Sequence, residues 1–298
     1  MPAERRDGAV RRRRGDGAEA DADPQFEVPY GPTIPSLYGM AAARYLHEYG
    51  LTEADLAEVA VANQKWGVHH PHAAKGRFGE ITVEKVLSSP YVSSPLRRWM
   101  CSTWGGGSGG AVVVTSPDNV KAGQEAVYLT GYGTATTHEY LSDRMNMRTA
   151  PVPVDGRVVP VDDPHRQHRG GPPGVRDGRR RARRHRHAGD VGELRAHGAH
   201  DPRGPGFAER GKGVDLYRSG RSGFDGDLPI DTNGGWLSFG QPGISCNMDT
   251  IVEAVRQLRG IPLGLPPRNK PSTVLVQGAG GMLAAATVLV LTTDGGPV

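Results

Sequence analysis

The sequence predicts an α/β layered protein. Amphipathic helical patterns stand at 36–67 and 247–260, apolar strand-like runs stand at 111–116, 273–277 and 284–293, and the two kinds alternate along the chain. The apolar runs are nearly continuous, which points to strands covered on both faces.

The elements follow in chain order. A proline-rich lead-in at 28–36 precedes a helix over 36–50, where Leu37, Met40, Ala41 and Tyr45 share one face and Gly50 supplies the stop. Thr52 and Asp55 make a capping box, with Asp in place of the usual Glu, and open a second helix. Leu56, Val59, Ala60 and Asn63 lie on its inner face. His69, His70 and His72 follow in a turn, expected as a polar surface loop. A short helix over 81–90 is closed by Pro90, and a glycine-rich loop at 99–110 leads into an expected buried strand, 111–116. The run 126–137 reads as a strand broken at its glycines, and 231–245 as a loop of turn residues. The helix at 247–260 buries Met248, Ile251, Val252, Val255 and Leu258 and is capped by Gly260. Two strands, 273–281 and 284–293, close the pattern around a tight glycine turn, and no short repeat is present.

Composition removes several classes. The 298 residues hold about two domains' worth of chain. No run approaches the ~20 apolar residues of a membrane span, and MPAERRDGAVRRRR lacks the apolar core of a secretory signal. Cys101 and Cys246 are too few for a disulfide scaffold or a four-thiolate zinc site. A soluble, cytoplasmic chain with reduced thiols is expected. The net charge is +4, but 162–206 alone carries 11 Arg against six acids, with no Lys, while 1–25 holds six of each sign. Basic charge confined to one segment argues against a folded nucleic-acid-binding face. In 162–206, 31 of 45 residues are Gly, Pro, Arg or His, so the segment cannot bury enough apolar surface to offset chain ordering. Its six histidines have no cysteine nearby and no scaffold, so no metal site is expected. Its composition is what GC-rich codons yield out of frame, and the segment reads as a frameshifted insert.

Single motifs carry little chemistry. Gly278 and Gly280 follow a strand as in a dinucleotide-binding turn, but Leu283 occupies the third glycine position and too little sequence follows for the βαβ unit. The glycine-rich loop lacks the Gly-Lys-Ser/Thr ending of a phosphate loop. Cys101 has no base nearby and reads as a structural thiol. His138-Glu139 reads as loop capping, and neither Gly-x-Ser-x-Gly nor His-Glu-x-x-His occurs.

Several collinear stretches say more. SLYGMAAARYLHEYGLTEADLAEVAVANQKWG, ITVEKVLSSPYVSSPLRRWMCSTWGGGSGGAVVVTS, GYGTATTHEYLSDRM, DLPIDTNGGWLSFGQPGISCNMDTIVEAVRQLRG and TVLVQGAGGMLAAATVLVL occur in this order. Together they resemble the thiolase superfamily, closest to the sterol-carrier-type thiolases, also called lipid-transfer proteins or acetyl-CoA acetyltransferases. The resemblance covers 26–160 and 207–291, or 220 of 298 residues. It implies two similar βαβαβαββ halves packed as an α/β/α/β/α sandwich, usually dimeric. It implies a coenzyme A thioester as substrate and no other cofactor, with a cysteine nucleophile, a proton-handling His and Cys, and backbone oxyanion holes.

The resemblance divides the chain into a disordered tail (1–25), a remnant of the N-terminal half with its loop region (26–125), the start of the C-terminal half (126–161), the disordered basic segment (162–206) and the C-terminal half (207–298). The family's nucleophile precedes the region like Phe26, so the chain reads as N-terminally truncated. The Gly-His-Pro histidine falls on Gln241, and the late Cys or His falls at or near Gln277. Neither Gln accepts a proton near neutral pH, so no catalytic position is intact and impaired turnover is expected. Gly234, Gly235, Ser238, Gln241 and Gly280 are expected to approach the thioester. Expected partners are acyl-CoA and a thiolase-like subunit, as homo- or heterodimer, or a small zinc-ribbon/OB-fold protein.

Overall fold

The computed structural model describes residues 22–103, 109–121, 123–136, 151–154, 157–160, 188–189, 207–209, 211–243, 246–280 and 285–294. Within them the expected α/β class holds, as a helical layer around one central helix and a mixed sheet carrying one long helix.

Helix α1 (Ile34–Tyr49) starts at Thr33, whose side chain and that of Ser36 cap each other's backbone, and stops at Gly50 with φ 63°. Leu37, Ala41 and Tyr45 face inward as expected, but Met40 is 56% exposed. Helix α2 (Glu53–Val68) has the predicted capping box: Asp55 Oδ2 accepts from the Thr52 backbone at 2.7 Å and from its hydroxyl at 3.0 Å. The helix is the hub of the fold. Leu56, Ala57, Ala60 and Val61 pack toward α1, helix α3 (Val83–Leu87) and Met100, while Val59 packs toward helix α4 (Gly213–Arg218), Leu228 and Ile230. Each large apolar side chain buried this way contributes about 1.5–3 kcal/mol. Burial on several sides forces two polar residues of α2, Asn63 and Gln64, into the interior, where they need partners.

A small hairpin, β1 (Tyr91–Ser93) with β2 (Leu96–Arg97), follows α3. The main sheet has the order β3-β8-β7-β6: β3 (Tyr128–Thr136), β8 (Ala285–Thr292), β7 (Thr273–Gly280) and β6 (Ala188–Gly189). Strand β8 is antiparallel to both neighbours, and β6 runs parallel to β7 with Ala188 opposite Leu275. A separate hairpin joins β4 (Pro151–Val154) to β5 (Arg157–Pro160). Strand β3 is continuous through its glycines, with a register shift between Leu129 and Gly131 in place of the expected break. Helices α5 (Gly235–Ser238) and α6 (Cys246–Leu258) complete the order. Helix α6 lays Ala254 and Leu258 against Val274, Val276 and Leu291 of the sheet. Met248 and Val252 point elsewhere, against the backbone at Gly110.

Two expectations need correction. Residues 111–116 form no strand; Val113 is 93% exposed and Val114 90%. Among the described residues no strand lies beside this run to pair it. His70 is no surface residue: it is 5% exposed. The tail over 1–21, His138-Glu139, the run 104–108 and most of 162–206 lie outside the described residues; of the basic segment only Ala188–Gly189 is described.

Candidate functional site

The segment 231–243 lies against the C-terminal end of α2, and buried polar side chains fix it there. Asp231 is the one described non-glycine residue with positive φ, at 56°. Its carboxylate accepts from the Asn63 amide, which also reaches the Gly234 carbonyl at 3.4 Å. A turn follows. Gly234 N–H donates to the Asp231 carbonyl at 2.7 Å, and Gly235 N–H donates to the Asn233 side chain at 2.8 Å. Gly234 has φ 96°, and a Cβ there would stand 2.7 Å from Gly67 Cα, so the turn touches α2 backbone to backbone.

Beyond the turn, α5 buries Trp236 and Leu237 and sends the Ser238 hydroxyl to Gln64 Oε1 at 2.8 Å. Gln64 in turn donates to the carbonyls of Lys75 at 2.9 Å and Gly79 at 2.7 Å. The loop after α2 also meets the segment through its backbone: Lys75 N–H donates to Ser238 O and Ala74 N–H to Phe239 O, both at 2.9 Å. Gln241 N–H then donates to Thr103 O at 2.8 Å. On the other flank, Glu253 of α6 is buried and accepts from the Thr232 hydroxyl at 2.6 Å and the Gln257 amide at 2.8 Å. Glu253 thereby ties the turn to the helix that lies on the sheet.

Two titratable groups border the segment with displaced proton affinities. The His70 ring meets Phe239 edge-on at 5.0 Å, and its Nδ1 accepts from the His72 backbone at 3.2 Å. Burial, with the like charges of His72 and Arg256, lowers its pKa to about 4. Burial raises the Cys101 thiol above its ordinary value, with the Lys75 charge opposing, so this thiol is not activated.

The site residues expected from sequence thus fall in two places. Gly234, Gly235, Ser238 and Gln241 share one loop; Gln277 and Gly280 stand on β7, opposite Val288 and Ala285. Gly234, Gly235 and Ser238 are buried, and the bonds just described occupy the two glycine N–H groups and the Ser238 hydroxyl. Gln241 is half-buried, and a Cβ at Gly280 would meet nothing within 4 Å. Sequence reading missed Gln64, Lys75, Asp231 and Glu253. For Gln64 and Glu253 the signal was no more than a polar residue among apolar ones on a helix; Lys75 and Asp231 stand outside helices and gave none. Among the described residues no cluster of three His, Cys, Asp or Glu side chains could hold a metal ion, and no helix is long and apolar enough to cross a membrane.

Comparison with known proteins bears on this loop. A family model for the thiolase C-terminal domain matches residues 203–293, which include the whole turn, α6 and the closing hairpin. This C-terminal region is thiolase-like. The chain is 28% identical over 246 residues to an acetyl-CoA acetyltransferase of Methanothermobacter thermautotrophicus, covering 80% of its own length and 58% of the relative's. It therefore spans under two thirds of that relative. It is 27% identical over 294 residues to a steroid side-chain-cleaving aldolase of Thermomonospora curvata, covering 95% of its own length and 68% of the relative's. Among solved structures, an Ltp2-ChsH2(DUF35) aldolase superposes with TM-score 0.65 at 20% identity, over 95% of this chain and 69% of that one, a likeness of fold.

Proposed function

We propose that this thiolase-like chain binds an acyl-CoA thioester with a lipid or steroid-derived acyl group, and that alone it does not carry out thiolysis. The residue that carries the reading is Gln241, where the resemblance implies the Gly-His-Pro histidine, in a loop fixed on both flanks. A glutamine amide donates to a thioester carbonyl and accepts from a neighbouring donor, but it takes no proton near neutral pH. Gln277 has the same limitation. Such a site can orient a thioester, and proton transfer has to come from elsewhere. The similarity to relatives named for acetyl-CoA acetyl transfer and for steroid side-chain cleavage supports CoA-thioester chemistry, and the aldolase relative favours C–C lyase chemistry over thiolysis. The test uses the purified 298-residue chain. Acetyl-CoA is expected to bind saturably by calorimetry, and acetoacetyl-CoA with free CoA is expected to give no turnover above blank. Turnover above blank overturns the claim of inactivity; no saturable binding overturns the thioester reading.

A second reading, an assembly subunit, is favoured by the exposed valines at 112–114. Apolar surface of this kind marks interfaces. The fitting partner is an intact thiolase-like subunit or a small zinc-ribbon/OB-fold acyl-CoA protein. Size-exclusion chromatography is expected to show association that Val113→Asp abolishes. A clean wild-type monomer that ignores both kinds of partner removes this reading.

A further inference from the structure

We infer that Lys75 is a positioning residue that sets where Gln241 stands; this rests on the reading of Gln241 as a site residue. Lys75 reaches both flanks of the segment that ends at Gln241. Its N–H holds Ser238 O at 2.9 Å, its carbonyl accepts from the buried Gln64, and its ammonium donates to Cys101 O at 2.9 Å. The side chain is buried, with Nζ 5.3 Å from the centroid of the Trp99 ring.

The last of these bonds matters most. Cys101 is extended, with φ −103° and ψ 146°. Cys101 O takes the Lys75 ammonium and Thr103 O takes the Gln241 N–H. The two donors therefore hold the same short segment at carbonyls two residues apart. The described part of this segment belongs to no sheet strand; these two bonds join the Cys101 N–H bond to Arg98 O and the packing of Met100 in holding it. A hydrogen bond from a charged donor is about twice as strong as a neutral one. A cationic anchor at Cys101 thus determines whether Thr103 O is in place to receive Gln241.

Amide hydrogen exchange on the full chain, without ligand, tests this directly. Lys75→Met keeps most of the aliphatic stem and removes the ammonium. The Gln241 amide is expected to exchange at least about tenfold faster in that variant, while the amides of α2 keep wild-type rates. Lys75→Arg, which keeps a charged donor, is expected to restore protection. Unchanged Gln241 exchange in folded Lys75→Met overturns the inference. So does equal loss of protection in Lys75→Arg and Lys75→Met. If Lys75→Met does not fold, Lys75→Gln takes its place with the same two decisive outcomes. Acetyl-CoA binding separates the two layers of the argument, with at least a tenfold weakening expected in Lys75→Met. A Gln241 amide that is freed while acetyl-CoA binds as in wild type upholds Lys75 as the anchor and removes Gln241 from the site.

Discussion

Gly234→Ala is expected to cost roughly 3–5 kcal/mol of folding stability, among the largest effects of any single methyl group in this chain. Two causes add. At φ 96° the residue stands in a region that side chains avoid, and the new Cβ would lie 2.7 Å from Gly67 Cα and 2.9 Å from Gly67 N. Both neighbours are backbone atoms of α2, whose other faces pack on α3 and α4, so neither can retreat cheaply. Gly50→Ala is the control. It also has positive φ, 63°, but a Cβ there meets nothing within 4 Å, so only the conformational cost of about 1–2 kcal/mol applies. Urea unfolding of the two variants at constant m-value makes the comparison. Equal losses would mean that the loop does not touch α2 as described, and the site built on that contact would fall with it.

That contact also shows what sequence could and could not disclose. The start of α2 was legible because capping is local: Thr52 and Asp55 are three residues apart, and their bonds form wherever the helix packs. The inner faces of α1 and α2 were legible at Leu37, Ala41, Tyr45 and Leu56, because apolar spacing reports the buried side. Met40 and the valines at 112–114 misled for one reason. An apolar residue is buried only if some other element arrives to cover it, and that element is remote in sequence. The turn residues Asn233, Gly234 and Gly235 were visible as a turn. That Asn63, 170 or so positions earlier, would hold the turn through Asp231 was not, since no local pattern encodes a pair so far apart. Gln64 and Lys75 are missed in the same way, because their value lies in the backbone atoms they meet.

His70 carries the second large expectation, a loss of stability on mild acidification. In the folded chain the ring stays neutral down to about pH 4, because it is buried and faces His72 and Arg256; its ordinary value is 6.5. Between those two values the unfolded chain binds a proton that the folded chain refuses. Folding stability is therefore fully present above about pH 6.5 and declines as pH falls toward 4. The loss should reach about 2 kcal/mol by pH 5, at 1.36 kcal/mol per unit of displacement. Carboxylates held low by partners, such as Glu53 beside Tyr91 and Arg97, lose their contribution as pH falls through the ordinary value of 4.5, so they act mainly below the pH 5 end of the comparison. Denaturation of wild type and His70→Gln at pH 7.5 and pH 5 isolates the effect. The variant should lose less stability than wild type over that interval by about the same 2 kcal/mol. Parallel losses would place the His70 ring in solvent instead. The consequence reaches the candidate site, since the ring that must stay neutral packs on Phe239, two residues before Gln241. A proton on His70 would push against that packing, and the Ala74–Phe239 and Lys75–Ser238 hydrogen bonds next to it are the first expected to open.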